Sequence, residues 1–275
     1  MRSEILSTVF SMSCLAACGQ QTEQQQSFKT ITTKKENIMK VEIWSDIMCP
    51  FCYIGKRNFE MALSQFANKG FVEVEWKSFQ LDPTLPEVPK YQDDMYMFVV
   101  DRKGFSYEQS KKMHQDLVQY ANSVGLEYNF EKALVTNSLK SHRLIQFAKT
   151  KGLGEKAEER LFCAYFTQGK NLADEAILIE LGKDIGLTEA DVNEALTNSI
   201  YQDKAEQDAR DAQNLGARGV PFFVFNRRYA ISRAQPPDQL LQMLKKSFEE
   251  WQKESTSSQL IMTQGVVCTP GGECK

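Results

Sequence analysis

The chain is short of the residues that build metal centres. It has only two histidines, His114 and His142, in 275 residues. Both fall in helical segments and lack the spacing of a paired zinc-binding motif. Excess charge is also missing: 33 basic residues face 36 acidic ones, for a net charge of −3. That leaves nucleic acid or an anionic membrane surface no basic face to grip. The Lys111-Lys112 and Lys245-Lys246 pairs read as solvated helix faces. The apolar run over residues 5–17 is too short to cross a bilayer as a permanent helix. Cysteine is sparse, with seven along the chain, so this is no disulfide-stapled miniprotein. What remains is ordinary globular composition, 42% hydrophobic and 25% charged, enough for one large domain or two modest ones.

The N-terminal segment looks like an export signal. A weakly basic start and a short apolar run lead to Leu15-Ala16-Ala17-Cys18, which resembles a bacterial lipobox with Cys18 as the lipidated residue. Residues 1–18 are therefore expected to be a lipoprotein-type signal, and polar residues 19–38 a flexible tether. A membrane-anchored periplasmic protein follows, with the membrane engaged only through that lipid. The alternative is a cytoplasmic protein whose translation starts at Met39.

From Met39 the pattern becomes structural. Residues 39–45 alternate as a strand. Cys49-Pro50-Phe51-Cys52 follows, and residues 51–67 form a helix with Ile54, Phe59, Leu63 and Phe66 broadly on one face. Residues 71–79 alternate again, so two parallel strands are joined by a crossover helix. Residues 81–89 carry three prolines and read as a loop. The stretch 91–216 is almost wholly helical in period, with helices expected at 113–124, 133–148, 155–166, 175–185 and 189–198. Gly125, Gly152, Gly169 and Gly186 end helices, and Asp174 and Thr188 cap them. Strands return at 221–226 and 228–231 around an Asn226-Arg227 turn that lacks the favoured glycine. A last helix opens at Pro236-Pro237-Asp238 and runs through Trp251.

This gives an α/β thioredoxin fold in two pieces, 39–88 and 206–255. An all-helical subdomain (89–205) is inserted between them, and a cysteine-bearing tail (256–275) follows.

The chemistry lies in Cys49 and Cys52. Cysteines at i and i+3 on a helix start put both sulfurs on one side of the first turn. The helix N-terminus favours a thiolate there. Cys49 is the expected nucleophile and Cys52 the resolving thiol. Half a zinc site and an inert pair are the competing readings; no metal is expected. Val220-Pro221 precedes the returning strand. A proline there is tolerated because it need not donate a hydrogen bond, but in this context a cis bond is expected, with the Val220 backbone beside the sulfurs as a substrate-binding surface.

Three stretches, WSDIMCPFCYIGKRNFE (44–60), NSLKSHRL (137–144) and GARGVPFFVFNRRYAISRAQP (216–236), resemble the DsbA-like branch of the thioredoxin superfamily, most closely its FrnE-type members. The resemblance covers about residues 39–250. It implies a thiol–disulfide oxidoreductase acting on thiol- or disulfide-containing proteins, with no cofactor beyond the redox-active disulfide. The same branch includes 2-hydroxychromene-2-carboxylate isomerases and kappa-type glutathione transferases. Glutathione as a co-substrate, or a glutathione-dependent isomerase or transferase, is therefore the alternative.

Arg233 stands where that pattern has glycine. His142 and Arg143 can line the site, with a capping or surface role the plainer expectation. Cys163 is expected in the core. Cys268 and Cys274 flank a Pro-Gly-Gly turn and form a candidate second redox pair that relays electrons to the first.

Overall fold

The computed structural model describes residues 38–88 and 94–257. Cys18, the tether and the Cys268/Cys274 pair lie outside the described residues.

Four strands form one sheet in the order β2-β1-β3-β4. β1 (Met39–Ser45) runs parallel to β2 (Val72–Ser78), and Ile43 lies opposite Trp76. β3 (Phe222–Phe225) is antiparallel to β1 and pairs with β4 (Tyr229–Ser232) as a hairpin. Helix α1 (Pro50–Gln65) makes the crossover between β1 and β2. Helix α9 (Pro237–Ser257) packs beside α1.

The strand alternation sorts side chains to two faces. Met39, Val41, Ile43, Phe223 and Phe225 bury against Phe59 of α1, Phe66 just beyond its end, and Leu240, Leu244 and Phe248 of α9. Trp44, Phe222 and Val224 bury on the other face, against Ala212. Removing such a side chain from water contributes about 1.5–3 kcal/mol, so the two-residue period fixes which face of β1 meets α1. The hairpin turns without glycine. Asn226 and Arg227 take φ of 49° and 54°, the left-handed pair that a type I′ turn requires. Arg227 is held there by ion pairs from its guanidinium to Glu42 and Asp211.

The insertion contains α2 (Met95–Lys103), α3 (Tyr107–Ser123), α4 (Leu139–Thr150), α5 (Gly154–Phe166), α6 (Glu175–Asp184), α7 (Glu189–Thr197) and α8 (Ile200–Asn214). Asp174 and Thr188 accept N-cap hydrogen bonds, and Gly125, Gly152, Gly169 and Gly186 all have positive φ. α8 runs unbroken through residue 206, so one helix carries the chain from the insertion toward the sheet. The helical core includes Ile47, Cys49, Cys52 and Tyr53 along with Phe130, Phe147, Phe162 and Phe166. The insertion and the Cys49–Cys52 motif therefore share one core.

Two helix expectations need correction. No helix spans 133–148: α4 begins at Leu139. Residues 133–138 cross the loop at 81–88 instead, with Thr136 Oγ1 donating to Glu87 O and Asn137 Nδ2 to Leu85 O. Asn137 Oδ1 accepts the Leu139 N–H at 2.9 Å, which starts the helix there. The helix expected at 113–124 starts earlier, at Tyr107, behind a capping box of Ser106 and Gln109.

Candidate active site

Cys49 is the N-cap of α1, in extended conformation, and Pro50 opens the first turn. Pro50 suits that position because the turn needs no N–H from it. The loop from β1 is pinned by Cys49 N–H donating to Asp46 O at 2.9 Å, and the turn by Cys52 N–H donating to Cys49 O at 3.0 Å. Tyr128 Oη donates to Pro50 O at 2.7 Å, tying the motif to the insertion. Both cysteines are free thiols.

The two sulfurs are not equivalent. Cys49 keeps 5% exposure and Cys52 none. Burial pushes the Cys52 thiol well above its ordinary pKa, and its hydrogen bond to the Cys49 sulfur adds to the shift. Cys52 therefore holds its proton.

The Val220–Pro221 peptide bond is cis, and Cys49 Sγ lies 3.6 Å from Val220 O. Pro221 also sits against α1 at Gly55. A Cβ on Gly55 would come within 3.1 Å of Pro221 Cγ and 3.3 Å of Phe223 Cζ. Glycine lets α1 lie against the loop that faces Cys49.

Behind the dithiol is a buried polar layer. Asp46 accepts the N–H of Met48 at 3.2 Å and of Leu81 at 2.7 Å. His142 Nε2 lies 3.3 Å from Asp46 Oδ1, at ion-pair distance but outside hydrogen-bond geometry. Burial pushes the Asp46 carboxyl upward, yet His142 and the Leu81 and Met48 N–H groups outweigh it and hold its pKa below the ordinary value. Glu158 of α5 is fully enclosed, and burial lifts its pKa to about 7 against Ser45, His142, Lys56 and Lys149. Ser45 Oγ, both ring nitrogens of His142 and Tyr165 Oη find no hydrogen-bond partner.

His142 is thus neither a cap nor a surface residue: it is 2% exposed. Arg143 does cap, donating to Ala195 O and Asn198 O at the end of α7. Cys163 is half-buried rather than in the core, and it lines a charged cleft with Arg57, Glu159 and Arg160. His114 packs edge-on to Tyr96 and Phe130, with Nδ1 2.8 Å from Ser110 O. Among the described residues no three His, Cys, Asp or Glu side chains converge as a metal site.

Sequence reading missed Asp46 and Glu158. Asp46 left a trace, as an acid between an apolar strand and the CxxC. Glu158 left none, because it is one of several closely spaced charged residues, with Glu155, Lys156, Glu159 and Arg160 on the same helix.

A parallel β–α–β unit, a dithiol on its first helix and a Val-Pro loop facing that dithiol define a thioredoxin-type protein. The sequence profile of the DSBA-like thioredoxin domain matches residues 40–245, and the chain belongs to that family. It is 30% identical over 189 residues to the uncharacterized protein YwbO of Bacillus subtilis (strain 168), covering 67% of this chain and 85% of YwbO. Among solved structures, the probable DsbA oxidoreductase SCO1869 of Streptomyces coelicolor superimposes with a TM-score of 0.73 at 33% identity, over 86% of this chain and 98% of its own. The cytosolic disulfide reductase DsbM of Pseudomonas aeruginosa, at 17% identity and a TM-score of 0.54, covers 77% of this chain and 99% of its own and shares the fold.

Proposed function

We propose that this protein catalyses thiol–disulfide exchange on protein disulfides, with Cys49 as nucleophile and Cys52 as resolving thiol. The observation that carries the reading is the asymmetry of the pair. Cys49 sits at a helix N-terminus with some exposure, whereas Cys52 is enclosed and keeps its proton.

In the reducing direction, the Cys49 thiolate attacks one sulfur of a substrate disulfide and the other leaves as a thiolate. Cys52 then gives up its proton and attacks Cys49 Sγ. The Cys49–Cys52 bond forms, the second substrate sulfur leaves, and two electrons have moved to the substrate. The oxidising direction is the reverse.

Turnover of insulin disulfides by wild type, with loss to the uncatalysed background in Cys49→Ser, supports this reading. Turnover retained by Cys49→Ser contradicts it.

Two proposals rest on sequence outside the described residues. The Cys268/Cys274 pair relays electrons to Cys49–Cys52; full turnover with every redox partner in a Cys268→Ser, Cys274→Ser variant would remove that role. Cys18 carries a lipid anchor at the periplasmic face of a membrane, which the intact mass of the mature N-terminus tests.

A further inference from the structure

Among the described residues, nearly all arginines are occupied. Arg57, Arg102, Arg160, Arg210, Arg227 and Arg228 each hold a carboxylate, and Arg143 holds two backbone carbonyls. The remaining described arginines, Arg218 and Arg233, are exposed and hold no partner among the described residues. These two bracket the loop that faces the nucleophile.

Arg218 lies two residues before Val220, whose carbonyl oxygen is 3.6 Å from Cys49 Sγ. Arg233 lies across the hairpin end, and its N–H donates to Pro221 O at 2.9 Å. The two residues thus lie one on each side of the Val220–Pro221 peptide, and both are exposed. Beyond Cys49, the groove beside Phe51 carries charges of both signs, Glu108, Lys112 and Asp116.

Arg233 adds a second observation. Its φ is +69°, a left-handed conformation that glycine adopts without steric cost and that side chains seldom hold. Arg227, also left-handed, is compensated by its ion pairs to Glu42 and Asp211. Arg233 keeps its backbone bond to Pro221 O but has no side-chain partner among the described residues. A left-handed arginine at a site edge, with its guanidinium unpaired among the described residues, points to a contact made with something that binds there.

We propose that Arg218 and Arg233 select disulfides whose cysteines are flanked by carboxylates. The inference rests on the exchange reading above and names the substrate class for that site. A substrate strand laid along Val220 presents flanking groups to both guanidinium groups, which match carboxylate geometry through paired N–H donors. The carboxylates can come from acidic side chains of a polypeptide or from the two termini of glutathione.

The test compares kcat/KM for matched peptide disulfides with glutamate, glutamine or lysine flanks, and for oxidised glutathione. Wild type is expected to turn over the glutamate peptide at least tenfold faster than the lysine peptide at low salt, with the gap shrinking as salt rises. An Arg218→Glu, Arg233→Glu double variant is expected to reverse the order, a gain on the lysine peptide that a misfolded protein cannot give. With the peptide order as expected, an oxidised-glutathione rate that falls in the double variant extends the class to the tripeptide, and an unchanged one confines it to polypeptides. Equal kcat/KM across the three peptides, or an order unchanged in the double variant, overturns the inference. No turnover of any of these disulfides overturns the exchange reading and the specificity with it.

Discussion

Glu158 and Glu159 are neighbours on α5 and meet opposite environments. Glu158 points into the enclosed layer behind the dithiol, where burial lifts its pKa to about 7. Glu159 points into the charged cleft. Burial alone would raise it too, but hydrogen bonds from Arg57 and Tyr53 and the charge of Lys56 bring it down to about 2. The cleft is well paired: Lys56 lies 3.0 Å from Glu159, Arg57 Nη1 is 2.7 Å from Glu60, and Tyr53 Oη donates to Glu159 at 2.7 Å. The layer behind the dithiol is under-paired, with open acceptors and donors on Ser45, His142 and Tyr165. Two acids one residue apart thus separate by burial and by partners together, and the under-paired side is the one that borders Cys49 and Cys52.

The largest effect should come from removing the buried member, Glu158. The folded-state pKa of Glu158 lies above its unfolded value, so folding binds a proton between roughly pH 4.5 and 7. Stability from that group is present at low pH and is lost as pH rises through 7. Glu158→Gln should therefore gain on the order of 3 kcal/mol over wild type above pH 7, and nothing near pH 4. Urea unfolding across that range measures it; a pH-independent difference would show that Glu158 is not the titrating group.

The well-paired member should behave in the opposite way. Its folded pKa lies below the unfolded value, so its contribution is present above about pH 4.5 and fades as pH falls toward 2. Glu159→Gln should cost about 1–2 kcal/mol at pH 7, reduced by the solvent that reaches this cleft. The cost should vanish in acid, read from the same unfolding curves.

A smaller loss is expected remote from both clusters. Arg143→Ala removes two hydrogen bonds at the end of α7 and should cost about 1 kcal/mol, with no pH dependence between 4 and 8. A pH-dependent loss would show that the insertion couples to the polar layer through more than His142.

The frame of this protein was legible in its sequence because local signals and tertiary structure agree there. The two-residue alternation of 39–45, the CxxC at a helix start and the caps at Asp174 and Thr188 each act over a few residues. Agreement failed where long-range contacts overrode periodicity. Ala133, Leu134 and Val135 are apolar and stand just ahead of α4, yet the burial of Ala133 and Val135 and the bonds of Thr136 and Asn137 to the 81–88 loop hold the segment out of the helix. The start of α3 was legible in Ser106 and Gln109 and was missed. At the site, Cys49, Cys52 and Val220-Pro221 carry their chemistry in residue type and order. Glu158 and His142 do not, since their role comes from residues more than ninety positions away that fold over them.

The account stands on Cys49 being the sulfur that meets substrate. The most direct measurement is the intact and peptide mass of a Cys52→Ser protein after exposure to a glutamate-flanked peptide disulfide. One peptide should be covalently attached, at Cys49, and released by reductant. No adduct, or an adduct on Cys163 with Cys49 left free, would contradict it.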